Sequence, residues 1–106
     1  MVGGIKIMII YKGKRAVCGI QITIDGVWRY AMSDQDLLTV RITDDEHQTI
    51  TKTYNNDDVD SIDKMITVEL SAEDTSQLSL GRGIITAYMN ELCVLPPKTI
   101  YIKEAL

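Results

Sequence analysis

Apolar and polar residues alternate with a period of two along most of this chain. The clearest example is residues 15–24, where Cys18, Ile20, Ile22 and Ile24 share one face of an extended segment. A period of two is typical of a half-buried β-strand. Similar patterns predict further strands at residues 5–11, 27–30, 37–43, 47–54, 65–70, 83–93 and 98–103.

Turn-forming residues separate these predicted strands. Asp25-Gly26 is the strongest short-range signal for a hairpin. Pro96-Pro97 is expected to end a strand, because proline cannot donate a hydrogen bond to a sheet. Short strands at about 8–12-residue spacing indicate a sandwich or a barrel. No stretch predicts a helix long enough for a parallel crossover, so we expect antiparallel sheets in one domain, residues 1–106.

The alternation also predicts which side chains face the core. The inward residues on the strands at 37–43 and 65–70 are expected to be Leu38, Val40, Ile42, Ile66, Val68 and Leu70. On the strand at 47–54, Thr49, Thr51 and Thr53 share one face. Phe is absent and there is one Trp, so aliphatic side chains must fill most of the core.

A helix-start signal interrupts the strand pattern once. Ser71 is a good N-cap residue, and Asp74 stands three positions later, where its carboxylate meets free backbone N–H groups. Leu78 and Leu80 are expected to fold back onto the core. The signal therefore predicts a short helical turn near residues 72–79 that connects the two sheets and carries no chemistry.

The charge balance argues against nucleic acid as a partner. The chain has 11 Lys and Arg against 15 Asp and Glu, a formal net charge of −4, and its basic residues are scattered. Nucleic-acid binding usually needs a basic patch. No stretch approaches the roughly 20 apolar residues of a membrane span, and the N-terminus lacks the pattern of a signal peptide. We therefore expect no nucleic acid and no membrane as partners.

The two cysteines, Cys18 and Cys93, lie far apart in the sequence. Both stand among apolar residues and are expected to be small, buried core residues. A disulfide between them would need an oxidising compartment, and the sequence leaves that pairing open. No CxxC pair or Cys/His cluster is present, so we expect no zinc site.

No residue pattern in the sequence indicates catalysis or a cofactor. His47 is the only histidine and is expected to be exposed beside a turn. Neither cysteine lies in a nucleophile motif. The carboxylate pairs Asp44/Asp45 and Asp57/Asp58 are expected at loop tips, where water prevents the separation of pKa values that acid–base catalysis needs. We therefore expect no enzyme activity, no cofactor, no metal site and no small-molecule substrate.

The acidic loop at residues 55–63, NNDDVDSID, offers several oxygen ligands for a cation. No register of this loop supplies the EF-hand spacing of acids and glycine, and its Asn and Asp residues equally suit local turns. The alternative function is therefore a ligand-binding or adhesion domain that uses this loop and residues 33–36. In this alternative, calcium is the cation that the acidic loop would bind.

Three segments, taken in order, resemble a known family. They are YKGKRAVCGIQITIDGVWRY (residues 11–30), SDQDLLTVRIT (33–43) and ITVELSAEDTSQLSLGRGIITAYM (66–89). Each is an ordinary strand or connector, so their order and spacing carry the likeness. The chain resembles the immunoglobulin-like domains of phage and prophage structural proteins, of the kind at the N-terminus of baseplate upper proteins. The resemblance implies an all-β, antiparallel immunoglobulin-like β-sandwich of about seven to eight strands.

The resemblance also implies a non-enzymatic structural or assembly role. The partners would be other phage structural subunits or further copies of this chain. The protein would be a virion component, as a tail, baseplate or head accessory module, assembled in the bacterial cytoplasm. An edge strand with unpaired backbone groups can accept another chain by β-augmentation, and closed self-association is a plausible outcome for such a part.

Two apolar segments supply the predicted interaction surface. The strand IKIMIIY is apolar on both faces, so the other sheet or another subunit must cover it. A fully covered central strand is the alternative interpretation. Trp28 and Tyr30 share one strand face, either in the core or at an interface. The predicted surface comprises Ile5, Ile7, Ile9, Tyr11, Trp28 and Tyr30.

Overall fold

The structure is a computed structural model that describes residues 8–21, 35–60, 65–90 and 92–105. Seven strands form within these ranges: β1 (Met8–Tyr11), β2 (Ala16–Gln21), β3 (Leu38–Thr43), β4 (Thr49–Tyr54), β5 (Met65–Leu70), β6 (Gly81–Met89) and β7 (Leu92–Lys103). A 3-10 turn spans Asn56–Asp58, and a short helix, α1, spans Ala72–Ser76. The predicted Asp25-Gly26 hairpin and the strand at 27–30 lie outside the described residues.

The strands pair into two sheets. The larger sheet has the order β1-β7-β6-β3-β4, and the smaller sheet pairs β2 with β5. Side chains from both sheets meet in one hydrophobic core. Two packed sheets joined in this way form a β-sandwich, so the predicted all-β fold class is confirmed.

The inward faces of the strands follow the alternation in the sequence. The six inward residues predicted for β3 and β5 are all buried: Leu38, Val40, Ile42, Ile66, Val68 and Leu70. The three threonines of β4 share one face, as predicted, and the structure shows that this face is exposed. In the segment before β6, Leu78 is buried but Leu80 is half exposed, so the prediction that both leucines enter the core is wrong for Leu80.

The β1 strand differs from the prediction in the direction of its neighbour. It lies at the edge of the larger sheet and runs parallel to β7, with Ile9 beside Tyr101 and Tyr11 beside Lys103. The expectation of antiparallel pairing throughout is therefore wrong at this edge. Parallel neighbours need a long connection, and here most of the domain lies between the two strands. The alternation within one strand carries no information about the direction of its partner.

The end of β6 also differs from the prediction. The strand stops at Met89 rather than continuing to residue 93, because the chain turns at Asn90. Asn90 has a left-handed backbone (φ 57°), which asparagine tolerates better than most residues. Its backbone N–H donates to the carbonyl of Leu37 at 2.8 Å, and its side-chain oxygen accepts from the N–H of Leu37 at 3.0 Å. Two hydrogen bonds to a residue that is distant in sequence thus fix the turn.

The proline pair does not end a strand. β7 runs through Pro96-Pro97, and its register against β6 shifts between Ile85 and Ala87 and again before Tyr88. Within this irregular stretch the Thr86 hydroxyl donates to the carbonyl of Leu95 at 2.9 Å. The described part of β1 pairs with β7 only from Ile100 of β7 onwards, so it does not lie beside the prolines. Prolines at an irregular stretch of strand with one described neighbour cost few ladder hydrogen bonds.

The helix α1 carries the chain from β5 in the smaller sheet to β6 in the larger one. The Ser71 hydroxyl accepts from the N–H of Asp74 at 3.1 Å, and the Asp74 carboxylate accepts from the N–H of Ser71 at 3.0 Å. This is the predicted capping box. The buried Thr75 hydroxyl donates to the carbonyl of Lys14 at 2.8 Å and ties the helix to the β1–β2 turn. Among the described residues no helix has the length and apolar character to cross a membrane.

Candidate interaction surface

The candidate site is the outer face of the larger sheet. Residues that pair directly on neighbouring strands point to the same side of a sheet. Ile9, Tyr101 and Arg82 form one such row, and Thr99, Ile84 and Thr43 form another. We call the side away from the core the outer face; its residues are Ile9, Tyr11, Thr39, Arg41, Thr43, Thr49, Thr51, Thr53, Arg82, Ile84, Thr86, Tyr88, Thr99, Tyr101 and Lys103.

Large apolar side chains on this face are open to solvent. The relative exposure is 42% for Ile9, 45% for Tyr11, 46% for Ile84 and 38% for Tyr101. No described segment packs over them, since the smaller sheet lies on the opposite side, across the core. Scattered exposed apolar residues are normal on a protein surface, but neighbouring ones on one sheet face are typical of an interaction site.

An arginine and a tyrosine are paired near the middle of the outer face. The Arg41 guanidinium lies over the Tyr88 ring, 5.6 Å from its centre. This distance is within the range of a cation–π interaction. Tyrosine and arginine are also enriched among the residues that dominate binding at protein interfaces.

A shallow depression lies at one end of the outer face, beside the β3–β4 turn. Its volume is about 370 Å³. The lining residues are Thr43, Asp44, Asp45, His47, Arg82, Gly83, Ile84 and Thr99. Arg82, Ile84 and Thr99 belong to the outer face, so the depression is continuous with it. Its lining combines two aspartates, a histidine, an arginine and two threonines with one large apolar side chain, so it suits a polar side chain of a partner better than an apolar ligand.

The wall of the depression is held by Asp44. Its buried carboxylate accepts hydrogen bonds from the backbone N–H groups of Glu46, Gln48 and Ser79, each at 2.9 Å. Burial alone raises the pKa of Asp44, but the hydrogen bonds from Ser79, Gln48 and Glu46 outweigh it, so the pKa lies below the ordinary value. Both carboxylate oxygens of Asp44 already accept hydrogen bonds from backbone N–H groups, so this side chain has a structural role.

His47 completes the same turn and is exposed, as predicted. Its backbone N–H donates to the carbonyl of Asp44 at 3.1 Å, and its φ is 65°, in the left-handed region. A tight turn followed by one left-handed residue is a common three-residue hairpin loop. The local geometry therefore explains the position of His47 without a catalytic role.

The acidic loop is organised by its own backbone in the part that the structure describes. Asn55 accepts from the N–H of Asp57 at 2.9 Å, and Asp58 accepts from the N–H of Asn55 at 2.8 Å. These two side chains therefore cap the 3-10 turn. Within the described ranges, no group of three or more His, Cys, Asp or Glu side chains is placed to hold a metal ion. Residues 61–63 of the predicted loop lie outside those ranges.

The two cysteines are free thiols in different environments. Cys18 is half buried against the core, and burial raises its pKa to about 11. Cys93 is exposed, so the prediction that both cysteines are buried in the core is wrong for Cys93. A thiol with a raised pKa is mostly protonated at neutral pH and is a poor nucleophile.

Two of the predicted interaction residues lie on the outer face. Ile9 and Tyr11 are exposed on the edge strand β1, while Ile5, Ile7, Trp28 and Tyr30 lie outside the described residues. The sequence reasoning did not single out Arg82, Ile84 or Tyr101 as surface residues. The signal for Ile84 was present, because β6 has apolar residues at both odd and even positions and only one set fits the core.

Comparisons with known proteins do not show a family for this chain. No protein-family model matches this chain, and the search of curated proteins found no match. Among solved structures, the Ig1 domain of mouse SynCAM 2 is similar to it, with a TM-score of 0.41 and 9% identity over 97% of this chain and 94% of that chain. We draw nothing about function from so distant a likeness. The phage family remains a prediction from the sequence resemblance.

Proposed function

We propose that this protein is a non-enzymatic protein-interaction domain that binds its partner through the outer face of the larger sheet. The observation that carries the proposal is the group of exposed residues Ile9, Ile84 and Tyr101 beside the paired Arg41 and Tyr88. Burying apolar surface supplies the main favourable term in protein association, and Tyr and Arg are enriched at the centre of interfaces.

The more specific proposal is a structural or assembly subunit of a phage or prophage particle. It rests on the resemblance of the three sequence segments to phage baseplate domains, since the structure itself supports only the sandwich. The chain would be incorporated into the virion in the bacterial cytoplasm, with other structural subunits or further copies of itself as partners. An assembly role is consistent with the position of β1, which among the described strands lies at the edge of the larger sheet, beside the outer face.

The proposal is tested by changing the outer face in cells that carry the gene. The double variant Ile84→Gln/Tyr101→Gln removes two exposed apolar side chains from the outer face. The control, Val17→Gln/Leu80→Gln, removes two that are similarly exposed elsewhere. Size-exclusion chromatography of cell extracts, with the chain detected by antibody, should show wild type and control in a larger assembly and the outer-face variant as a free chain.

A wild-type chain that elutes as a free monomer would contradict the interaction role, and equal loss in both variants would contradict the choice of surface. Circular dichroism melts of each purified variant check that the domain remains folded.

The proposal of a phage subunit is tested by a separate measurement. After prophage induction, mass spectrometry of purified particles should detect the chain, and particles that lack it would rule out a virion role.

A further inference from the structure

The charges on the outer face differ in sign from those of the whole chain. Its outward strand positions carry Arg41, Arg82 and Lys103, while none of the fifteen residues that define the face is Asp or Glu. The protein as a whole has a formal net charge of −4. Acidic residues are therefore absent from the strand positions of the outer face, although they are the commoner charges in the chain.

The cations of the outer face are also not neutralised within the described part of the protein. The ion pairs between described residues join Arg15 to Glu69 on the smaller sheet and Lys52 to Asp74 beside α1. Arg41 lies over a tyrosine ring instead of a carboxylate. Two acids, Asp44 and Asp45, line the depression at the rim of the outer face, beside the β3–β4 turn.

Arg82 is the best placed of these cations to bind a partner's group. It is the one Lys or Arg among the residues that line the depression, where it lies with Thr43, Thr99 and Ile84 on the outer face and with Asp44, Asp45 and His47 at the rim. A guanidinium binds a carboxylate with two parallel hydrogen bonds, which gives direction as well as attraction. Asp44 and Asp45 line the same depression, and the Asp44 carboxylate already accepts hydrogen bonds from three backbone N–H groups, so an incoming carboxylate must lie on the Arg82 side.

From this charge pattern we infer that the partner of the outer face is an acidic protein segment, which presents carboxylates to Arg82 and Arg41 around an apolar centre. The inference rests on the proposed function and specifies the chemistry of the partner. Complementary charge at an interface selects the partner and speeds association. A symmetric pairing of two outer faces would bring like charges together, so we expect a different surface opposite this one.

Nucleic acid fits the outer face less well. A phosphate backbone demands a dense row of cations, whereas this face separates its three basic residues with threonine, isoleucine and tyrosine. Carboxylates on a folded or extended protein segment can be interspersed with apolar side chains in the same way.

The test is an NMR titration of the ¹⁵N-labelled full chain with acetylated hexaglutamate at low ionic strength. Acetylated hexalysine and a hexathymidylate oligonucleotide serve as comparison probes. We expect hexaglutamate to shift the amide signals of Arg82, Ile84 and Thr99, with binding that weakens as salt is added. Arg82→Gln should weaken binding about threefold, the effect of losing one exposed ion pair.

The matched control is Arg15→Gln, which changes the net charge by the same amount but lies just before β2, where Arg15 is paired with Glu69 of β5. It should leave the affinity for hexaglutamate unchanged, while Asp45→Asn should increase it by removing a like charge from the depression. Equal weakening by Arg82→Gln and Arg15→Gln, or no shift on the outer face, overturns the inference. Tighter binding of hexathymidylate at the same residues also overturns it, in favour of nucleic acid.

Failure of this inference can be distinguished from failure of the proposed function. If hexaglutamate does not bind but Ile84→Gln/Tyr101→Gln still releases the chain from its assembly, the outer face binds a partner of other chemistry. The inference of an acidic partner is then wrong, but the proposed interaction role stands. If the double variant has no effect on the assembly, the proposed function fails, and this inference fails with it.

Discussion

The Asp44 carboxylate accepts a hydrogen bond from the backbone N–H of Ser79 at 2.9 Å, and so joins the β3–β4 turn to the segment that follows α1. The same carboxylate also holds the backbone of its own turn. One buried side chain thus fixes two loops that are distant in sequence. The shape of the depression at the end of the outer face depends on this contact.

Replacing Asp44 with alanine should destabilise the fold markedly. Three backbone N–H groups lose a charged acceptor, so we expect the free energy of unfolding to fall by about 2–3 kcal/mol. Urea denaturation followed by circular dichroism measures the change. The control is Asp45→Ala in the same turn. Because this side chain is exposed, its loss should change the free energy of unfolding by less than about 0.5 kcal/mol. Equal effects would contradict the structural role of Asp44.

The stability that Asp44 provides should depend on pH. Its pKa is lower in the folded protein than in the unfolded chain, so its contribution is complete above the unfolded pKa of about 3.9 and is lost as the pH falls through the folded pKa. The free-energy difference between wild type and Asp44→Asn should therefore be constant near neutrality and shrink below about pH 4. A difference that stays constant down to pH 3 would show that the hydrogen bonds do not favour the ionised form.

The backbone at His47 predicts a stabilising substitution. A residue with a β-carbon in the left-handed region costs about 1–2 kcal/mol, and glycine avoids this cost but gains freedom in the unfolded chain. We expect His47→Gly to raise the free energy of unfolding by about 0.5–1 kcal/mol. His47→Ala keeps the β-carbon and should change little. Thermal melts of both variants test this, and a destabilised glycine variant would argue that the imidazole makes a necessary contact.

The capping box at α1 predicts the effect of removing its hydroxyl. Ser71→Ala leaves the N–H of Asp74 without its acceptor and should cost about 1 kcal/mol. Ser76→Ala, at the exposed end of the same helix, is the matched control and should cost less. Urea denaturation compares the two. If Ser71→Ala is neutral, the cap does not stabilise the crossing between the sheets.

Local patterns in the sequence predicted local structure well. The alternation of Leu38, Val40 and Ile42 fixes which side of β3 is buried, because a shift of one residue would bring polar side chains into the core. Ser71 and Asp74 likewise act within one helical turn, so their spacing was sufficient to predict the cap. In both cases the physical cause lies within a few neighbouring residues.

Features that depend on distant segments were not predictable in this way. The turn at Asn90 relies on hydrogen bonds to Leu37, and the parallel β1–β7 pair joins the two ends of the domain. The outer face is a similar case. Ile84 lies beside Thr99 and near Tyr101 only because β7 pairs with β6, so composition alone does not reveal an apolar face with basic residues.

The most direct test of the central claim is photo-cross-linking in cells that carry the gene. A photoreactive amino acid is placed at Ile84 on the outer face or, as the control, at Val17 on the smaller sheet, where exposure is similar. If the outer face is the interaction surface, illumination should give one discrete adduct from position 84 and none from position 17. Adducts from position 17 alone, or equal yields from both positions, would contradict the account.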